Sequence, residues 1–128
     1  MEELLVDVNW VAVLAGAVAA FIVGWLWYSP KLFGTKWAQG SGVNINDDSG
    51  PMMPAMIAQA VGTFLLAWVI GITATTDSLS FAILITLTIA VLVKAGGLFS
   101  QKSHYAVRVD AGYIIVMVVV MIIAHAIF

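Results

Sequence analysis

Charged residues are scarce in this chain, and cysteine is absent. Only 9% of its 128 residues are Asp, Glu, Lys or Arg, whereas soluble domains average about a quarter. So low a charge content excludes a water-soluble enzyme. The lack of cysteine excludes a disulfide framework, a thiolate metal site and a thiol nucleophile. With only five basic residues and a net charge of -2, a nucleic-acid-binding surface is not expected.

Long apolar segments take up most of the sequence. Hydrophobic residues make up 62% of the chain, and the mean hydropathy is +1.06. A helix needs about 20 apolar residues to cross the hydrocarbon core of a bilayer. Four segments meet this requirement, at about 10–29, 54–73, 79–99 and 109–128, and a long connection at 31–51 separates the first two. The sequence therefore predicts a single all-α domain, an integral membrane bundle of four transmembrane helices.

The basic residues predict the orientation of this bundle. All five lie in or next to the first and third connections, while the N-terminal tail, the second connection and the C-terminus have none. Basic residues near helix ends are retained on the cytoplasmic side. We therefore expect both termini on the outer side of a cytoplasmic-type cell membrane. The basic residues are Lys31, Lys36, Lys94, Lys102 and Arg108.

The most distinctive run is the segment 24–37, rich in aromatic residues and glycine, which ends the first span. Together with Asn9 and Trp10 ahead of it, and with Asp110 to Tyr113 in the last span, it resembles the DUF1761 family of small membrane proteins. The resemblance implies a four-helix membrane fold. Because that family is one of unknown function, the resemblance implies no reaction and no catalytic residue.

Two roles are open for the aromatic side chains of this run. Pro30 is expected to end the first helix, since proline disfavours a helical conformation in the residue before it. The aromatic side chains then anchor the bend at the membrane interface. The alternative is a platform for stacking or for lipid headgroups, assisted by Lys31 and Lys36. The aromatic residues concerned are Trp25, Trp27, Tyr28 and Trp37.

Small residues recur at every fourth position of the first span, at Ala12, Gly16, Ala20 and Gly24. Residues four apart lie on one helix face, and small side chains let a second backbone approach closely in lipid. This face is therefore predicted to pack against a helix. That helix belongs either to the same chain or to another subunit.

Polar residues inside the spans are candidates for function. Lys94 lies close to the end of the third span, about 7.5 Å of helix rise before Phe99. Its side chain can reach the headgroups, and pairing with Asp110 would stabilise it there. The alternative for Lys94 is a transport role. For Gln59 we expect a hydrogen bond to a neighbouring helix, with a substrate contact as the alternative.

Ample packing surface and few titratable groups favour an interaction or accessory subunit over a membrane enzyme. The expected partners are the lipid bilayer and either a second copy or other membrane subunits. No cofactor, metal or nucleic acid is expected. A second class of function stays open, a small-solute or ion transporter or channel formed by oligomerisation around Lys94, Asp110, Gln59 and Tyr113.

Overall fold

A computed structural model describes residues 2–42 and 53–128. Within these ranges a short 3-10 helix, Glu2–Leu4, precedes five α-helices. Four of the five are long and apolar enough to cross a membrane, which confirms the predicted four-span helical fold. Residues 43–51 of the expected long connection lie outside the described residues. The helices are α1 (Trp10–Trp27), α2 (Gly34–Ser41), α3 (Met53–Thr75), α4 (Leu79–Phe99) and α5 (His104–Ile127).

The four spanning helices run alternately in opposite directions. Near the start of α1, Gly16 lies against Met121 and Ala124, which are close to the end of α5. The end of α3 reaches the same region, where Gly71 faces Val13. We refer to this part of the bundle as the terminal end. The opposite part, where α2 packs against α5, is termed the elbow end.

Local signals set the limits of α1. Asn9 caps its start, because its side chain accepts a hydrogen bond from the Ala12 amide at 3.1 Å. The helix ends at Trp27, two residues before the end predicted from hydropathy. Pro30 explains the stop, since it restricts the preceding residue to non-helical conformations and supplies no amide hydrogen.

α5 begins at His104, five residues before the start predicted from hydropathy. The reason is Ser103, whose side chain accepts a hydrogen bond from the Ala106 amide at 3.1 Å and so caps the helix. The amide of Ser103 also donates to the carbonyl of Gly40 in α2, at 2.9 Å. The predicted start of the fourth span at about 109 is therefore wrong, since α5 begins at His104 and Arg108 lies within it.

The small-residue face of α1 is buried along its whole length. Gly16 contacts the backbone of α5 at Met121, and Gly24 contacts Tyr113. At these two positions the face packs against a helix of the same chain. Its four members are Ala12, Gly16, Ala20 and Gly24.

The first half of α3 is uncovered in the described part of the chain. Every residue from Met53 to Gly62 is exposed, and burial begins at Thr63. A Cβ atom added at Gly62 would meet nothing within 4 Å. Among the described residues, nothing covers this half of the helix.

Candidate functional site

Three donors from three parts of the chain converge on the carboxylate of Asp110 at the elbow end. Its Oδ1 accepts hydrogen bonds from the Tyr28 hydroxyl at 2.6 Å and from the indole N–H of Trp37 at 2.9 Å. Its Oδ2 accepts from the ammonium of Lys102 at 3.0 Å, in an ion pair. Asp110 thereby joins the end of α1, the helix α2 and the turn before α5. We term Tyr28, Trp37, Lys102 and Asp110 the Asp110 cluster.

A tight bend between α1 and α2 brings two of these donors together. After Tyr28, the carbonyl of Ser29 accepts from the amides of both Leu32 and Gly34, at 3.1 and 2.9 Å. Gly34 has no room for a side chain, because a Cβ atom there would collide with the carbonyl of Tyr28. With glycine at this point α2 can fold back on the end of α1. Trp37, one turn further along, then reaches Asp110.

Aromatic rings surround the cluster, and the two contacts of Tyr28 are edge to face. The Tyr28 ring contacts Trp37 on one side, with centroids 4.9 Å apart, and Tyr113 on the other, at 5.5 Å. Trp27 packs against Phe33 at 4.6 Å, and its indole N–H donates to the carbonyl of Val109 at 3.0 Å. Aromatic pairs in these geometries add stability beyond the area that they bury. The rings therefore hold the bend as a rigid unit.

Tyr113 ties α5 to α1 one turn deeper in the bundle. Its side chain is buried, and its hydroxyl donates to the carbonyl of Ala20 at 2.7 Å. The hydroxyl occupies the space beside Gly24, where a Cβ atom would overlap it. Glycine at position 24 is thus what allows the tyrosine to reach the backbone of α1.

The surroundings of the Tyr28 phenol keep it in the form that donates. Burial, followed by the hydrogen bond to Asp110, raises the pKa of Tyr28 far above its ordinary value, so its phenol stays protonated. The positive charge of Lys102 balances the carboxylate and also lies over the Trp37 ring, 5.6 Å from its centroid. The side chain of Asp110 is 14% exposed and that of Lys102 is 29% exposed, so the protein covers most of the surface of both.

Such a carboxylate is suited to holding structure rather than to chemistry. It has about four acceptor positions, and three are occupied by donors from this chain. Only one acceptor position is left for a substrate proton or a bound cation. The Asp110 cluster therefore acts as a clamp that fixes the bend and α2 to α5.

The other predicted residues lie apart from the cluster. Trp25 is 76% exposed. Gln59 is exposed on α3, and its amide donates to Thr63 of the same helix at 3.2 Å. Pro30 is exposed in the bend, and Lys94 is exposed on α4. The partner of Asp110 is Lys102 and not Lys94, so the expectation of a Lys94–Asp110 pair is wrong.

Lys102 is the member of the cluster that the sequence interpretation missed. From the sequence, Lys102 was identified only as one of the basic residues that predict the orientation of the bundle. Because α5 starts at His104, Lys102 lies in the turn just before the helix and eight residues before Asp110. The helix-capping residue Ser103 is the signal that could have revealed this, since it places Asp110 in the second turn of α5 rather than at its start.

An all-helical bundle with four spans and a buried clamp defines a multi-pass integral membrane protein. The sequence profile of the family described as "Protein of unknown function (DUF1761)" matches residues 11–126. The chain belongs to this family, which confirms the resemblance carried by residues 24–37 and by Asp110 to Tyr113. No curated protein and no solved structure matches the chain.

Proposed function

We propose that the protein is an accessory subunit that associates with another membrane protein. The observation that carries this proposal is Lys94, whose side chain is exposed on a spanning helix and has no ion-pair or hydrogen-bond partner among the described residues. A lysine at the centre of a membrane helix costs about 2.5–3.5 kcal/mol on insertion scales. Nearer the end of α4, this cost falls if the ammonium reaches the headgroups or meets an acidic group.

Exposed glycines on α3 and α4 support association with another membrane helix. Gly62 on α3 and Gly96 on α4 both face open space, with nothing within 4 Å of an added Cβ atom. Exposed glycine on a spanning helix lets a second helix approach closely, and close packing is what holds helices together in lipid. Gln59, one turn before Gly62, adds a polar group able to bond across such a contact.

Charge complementarity favours a different protein over a second copy. Within the four spanning helices the only acidic residue is Asp110. Its carboxylate already accepts from three donors of its own chain. The counter-charge for Lys94 is therefore supplied by an acidic residue of another membrane subunit, at a depth close to the elbow end of α4.

The transporter hypothesis requires Lys94, Gln59, Asp110 and Tyr113 to line one path. Asp110, Tyr113 and Gln59 bond to groups inside the chain, and Gln59 meets the Tyr113 side chain itself. Lys94 is on the surface of α4 and has no such partner among the described residues. A path lined by all four would have to break the clamp. The accessory-subunit proposal leaves the clamp intact.

Lys94→Met is the variant that tests the proposal. The native particle extracted in mild detergent is expected to exceed the 13.6 kDa of one chain by the mass of its partner. Lys94→Met should release the partner, because an acidic group in the contact is then left without a counter-charge. The measurement is native mass spectrometry. Lys31→Met is the control, since Lys31 is exposed in the bend outside the spanning helices.

Two outcomes contradict the proposal. A Lys94→Met particle of unchanged mass means that the lysine only reaches for the headgroups. An unchanged mass together with a lost ion flux after reconstitution favours the transporter. Lys94→Arg should keep the partner, because arginine retains the charge and bonds well to carboxylates.

The orientation proposed for the bundle places the elbow end in the cytoplasm, because the basic residues gather there. Since the chain has no cysteine, a thiol reagent labels only a cysteine that is introduced at a chosen position. In intact cells Gln39→Cys, on exposed α2, should be protected from an impermeant thiol reagent, and Thr76→Cys, in the exposed turn before α4, should react. The reverse labelling pattern would invert the orientation.

A further inference from the structure

Two exposed cations lie next to one aromatic ring at the elbow end. The ammonium of Lys36, on α2, is 4.5 Å from the centroid of the Tyr105 ring, on α5. Arg108 follows Tyr105 by three residues, which makes the two neighbours on one face of α5. Both cations are exposed, and the ring is half-buried. We refer to Lys36, Tyr105 and Arg108 as the elbow patch.

The polar groups of the elbow patch have no acceptors of their own. Among the described residues, neither the ammonium of Lys36 nor the guanidinium of Arg108 has an ion-pair or hydrogen-bond partner. The hydroxyl of Tyr105 has no hydrogen-bond partner there either. All three side chains can donate hydrogen bonds. A ligand that fits this patch is therefore one that supplies acceptors.

The charges around the elbow patch favour an anion. Asp110 is the only acidic residue at this end of the described chain, and it is already paired with Lys102. Asp47 and Asp48 lie outside the described residues. Because α5 begins at His104, the positive end of its helix dipole also lies at the patch. The side chains and the helix end thus attract the same kind of ligand.

The backbone that carries the elbow patch is held in place. The amide of Ser103 donates to the carbonyl of Gly40 at 2.9 Å, which ties the end of α2 to the start of α5. The hydrogen bond from Trp37 to Asp110, 2.9 Å long, joins the same two helices. Since Lys36 directly precedes Trp37, its place beside α5 is fixed before any ligand binds. Such preorganisation lowers the cost of binding.

The elbow patch lies at the depth where headgroups meet the hydrocarbon core. Phe99, the last residue of α4, is 90% exposed, and Leu98 before it is also exposed. Apolar side chains this exposed on a spanning helix are stable among acyl chains. Arg108 lies in the second turn of the helix that follows, just before the apolar part of α5. A lipid phosphate is the anion that reaches this depth with apolar chains attached.

We propose that the elbow patch binds the phosphate of an anionic phospholipid in the adjoining membrane leaflet. The phosphate oxygens accept from Lys36, Arg108 and the hydroxyl of Tyr105. Arginine binds a phosphate through two parallel N–H groups, and lysine binds it as a point charge. The acyl chains lie along the exposed apolar side chains of the spanning helices. A zwitterionic lipid carries the same phosphate, but its quaternary ammonium is repelled by the two cations.

Native mass spectrometry of the intact chain in detergent tests the proposal. The protein is titrated with dioleoyl phosphatidylglycerol and, separately, with dioleoyl phosphatidylcholine, which has the same acyl chains. Phosphatidylglycerol should bind with a dissociation constant at least about tenfold lower, because its net charge is not cancelled by a headgroup cation. Inorganic phosphate at the lipid concentration should leave the bound phosphatidylglycerol in place, since it lacks the acyl chains.

Single substitutions locate the binding site. Lys36→Gln and Arg108→Gln should each raise the dissociation constant of phosphatidylglycerol about tenfold, because each removes a charged hydrogen bond. Both residues are exposed, so the fold should be kept. Lys31→Gln is the matched control, since it removes the same charge from an exposed residue outside the elbow patch. It should change the dissociation constant by less than about threefold.

Three results would overturn the proposal. Equal affinity for the two lipids would show that the elbow patch does not select an anionic headgroup. Equal losses of affinity in Lys31→Gln and Lys36→Gln would show that only the net charge attracts the lipid. Release of phosphatidylglycerol by inorganic phosphate at equal concentration would show that the patch takes up free anions and is not a lipid site.

Discussion

Asp110→Asn is expected to lower the free energy of unfolding by about 2–3 kcal/mol. The new amide cannot satisfy all three donors. If its oxygen faces Tyr28 and Trp37, its NH₂ group faces the ammonium of Lys102 at the position where Oδ2 now accepts. If the amide flips, Lys102 has its acceptor but the tyrosine and the indole lose theirs. Either way a half-buried donor is left unpaired.

Asp7→Asn is the matched control for this experiment. It makes the same chemical change at the terminal end, in a residue that is exposed. Asp7 has a positive φ of 62°, which asparagine adopts readily. Unfolding is followed by circular dichroism during titration of the detergent-solubilised protein with a denaturing detergent. Equal stability of the Asp110→Asn variant and the native protein would show that the Asp110 cluster does not stabilise the fold.

Gly24→Ala is expected to lower the free energy of unfolding by about 3 kcal/mol, at the upper end of the range for overpacked cores. The added Cβ atom overlaps the hydroxyl of Tyr113. The ring must move, and it then loses its bond to the Ala20 carbonyl, which is 2.7 Å long in the native protein. Tyr113 also packs on Tyr28, so the displacement reaches the Asp110 cluster.

Gly62→Ala is the control, because the same change on α3 meets open space. Since alanine is the better helix former, this variant should be as stable as the native protein or slightly more stable. The double variant Gly24→Ala/Tyr113→Phe isolates the cause. Removing the hydroxyl removes the closest contact and leaves the ring carbon Cζ, 2.7 Å from the new Cβ atom, as the main overlap. Gly24→Ala should therefore be less destabilising in the Tyr113→Phe background than alone. Additive losses would show that the clash is not with the hydroxyl.

The spanning helices could be predicted because the signal is local. Each needs a continuous run of apolar residues, and hydropathy detects such runs whatever surrounds them. Hydropathy did not detect the start of α5. Its first turn carries His104 and Arg108, which hydropathy assigns to a connection, while the cap at Ser103 is what begins the helix. Helix ends depend on individual hydrogen bonds, and an average over many residues does not detect them.

The candidate site was only partly predictable. Which residues belong to it depends on how each helix is rotated about its own axis. Trp25 and Trp27 are two residues apart in one aromatic run, and successive helix positions turn by about 100°. Trp25 therefore points outward, whereas Trp27 bonds to the Val109 carbonyl. The same reason separates Lys94 from Asp110. No pattern along the chain states which face of α4 meets α5.

The sequence by itself determined that this is a four-span membrane protein of the DUF1761 family, because hydrophobic length and a short motif are properties of consecutive residues. Only the tertiary structure decided which polar groups meet. It paired Lys102 with Asp110, left Lys94 on the surface and buried Nε2 of His125 beside Gly71. The pairing of Lys102 with Asp110 follows from where α5 begins, whereas the other two outcomes depend on how the helices pack after they have formed.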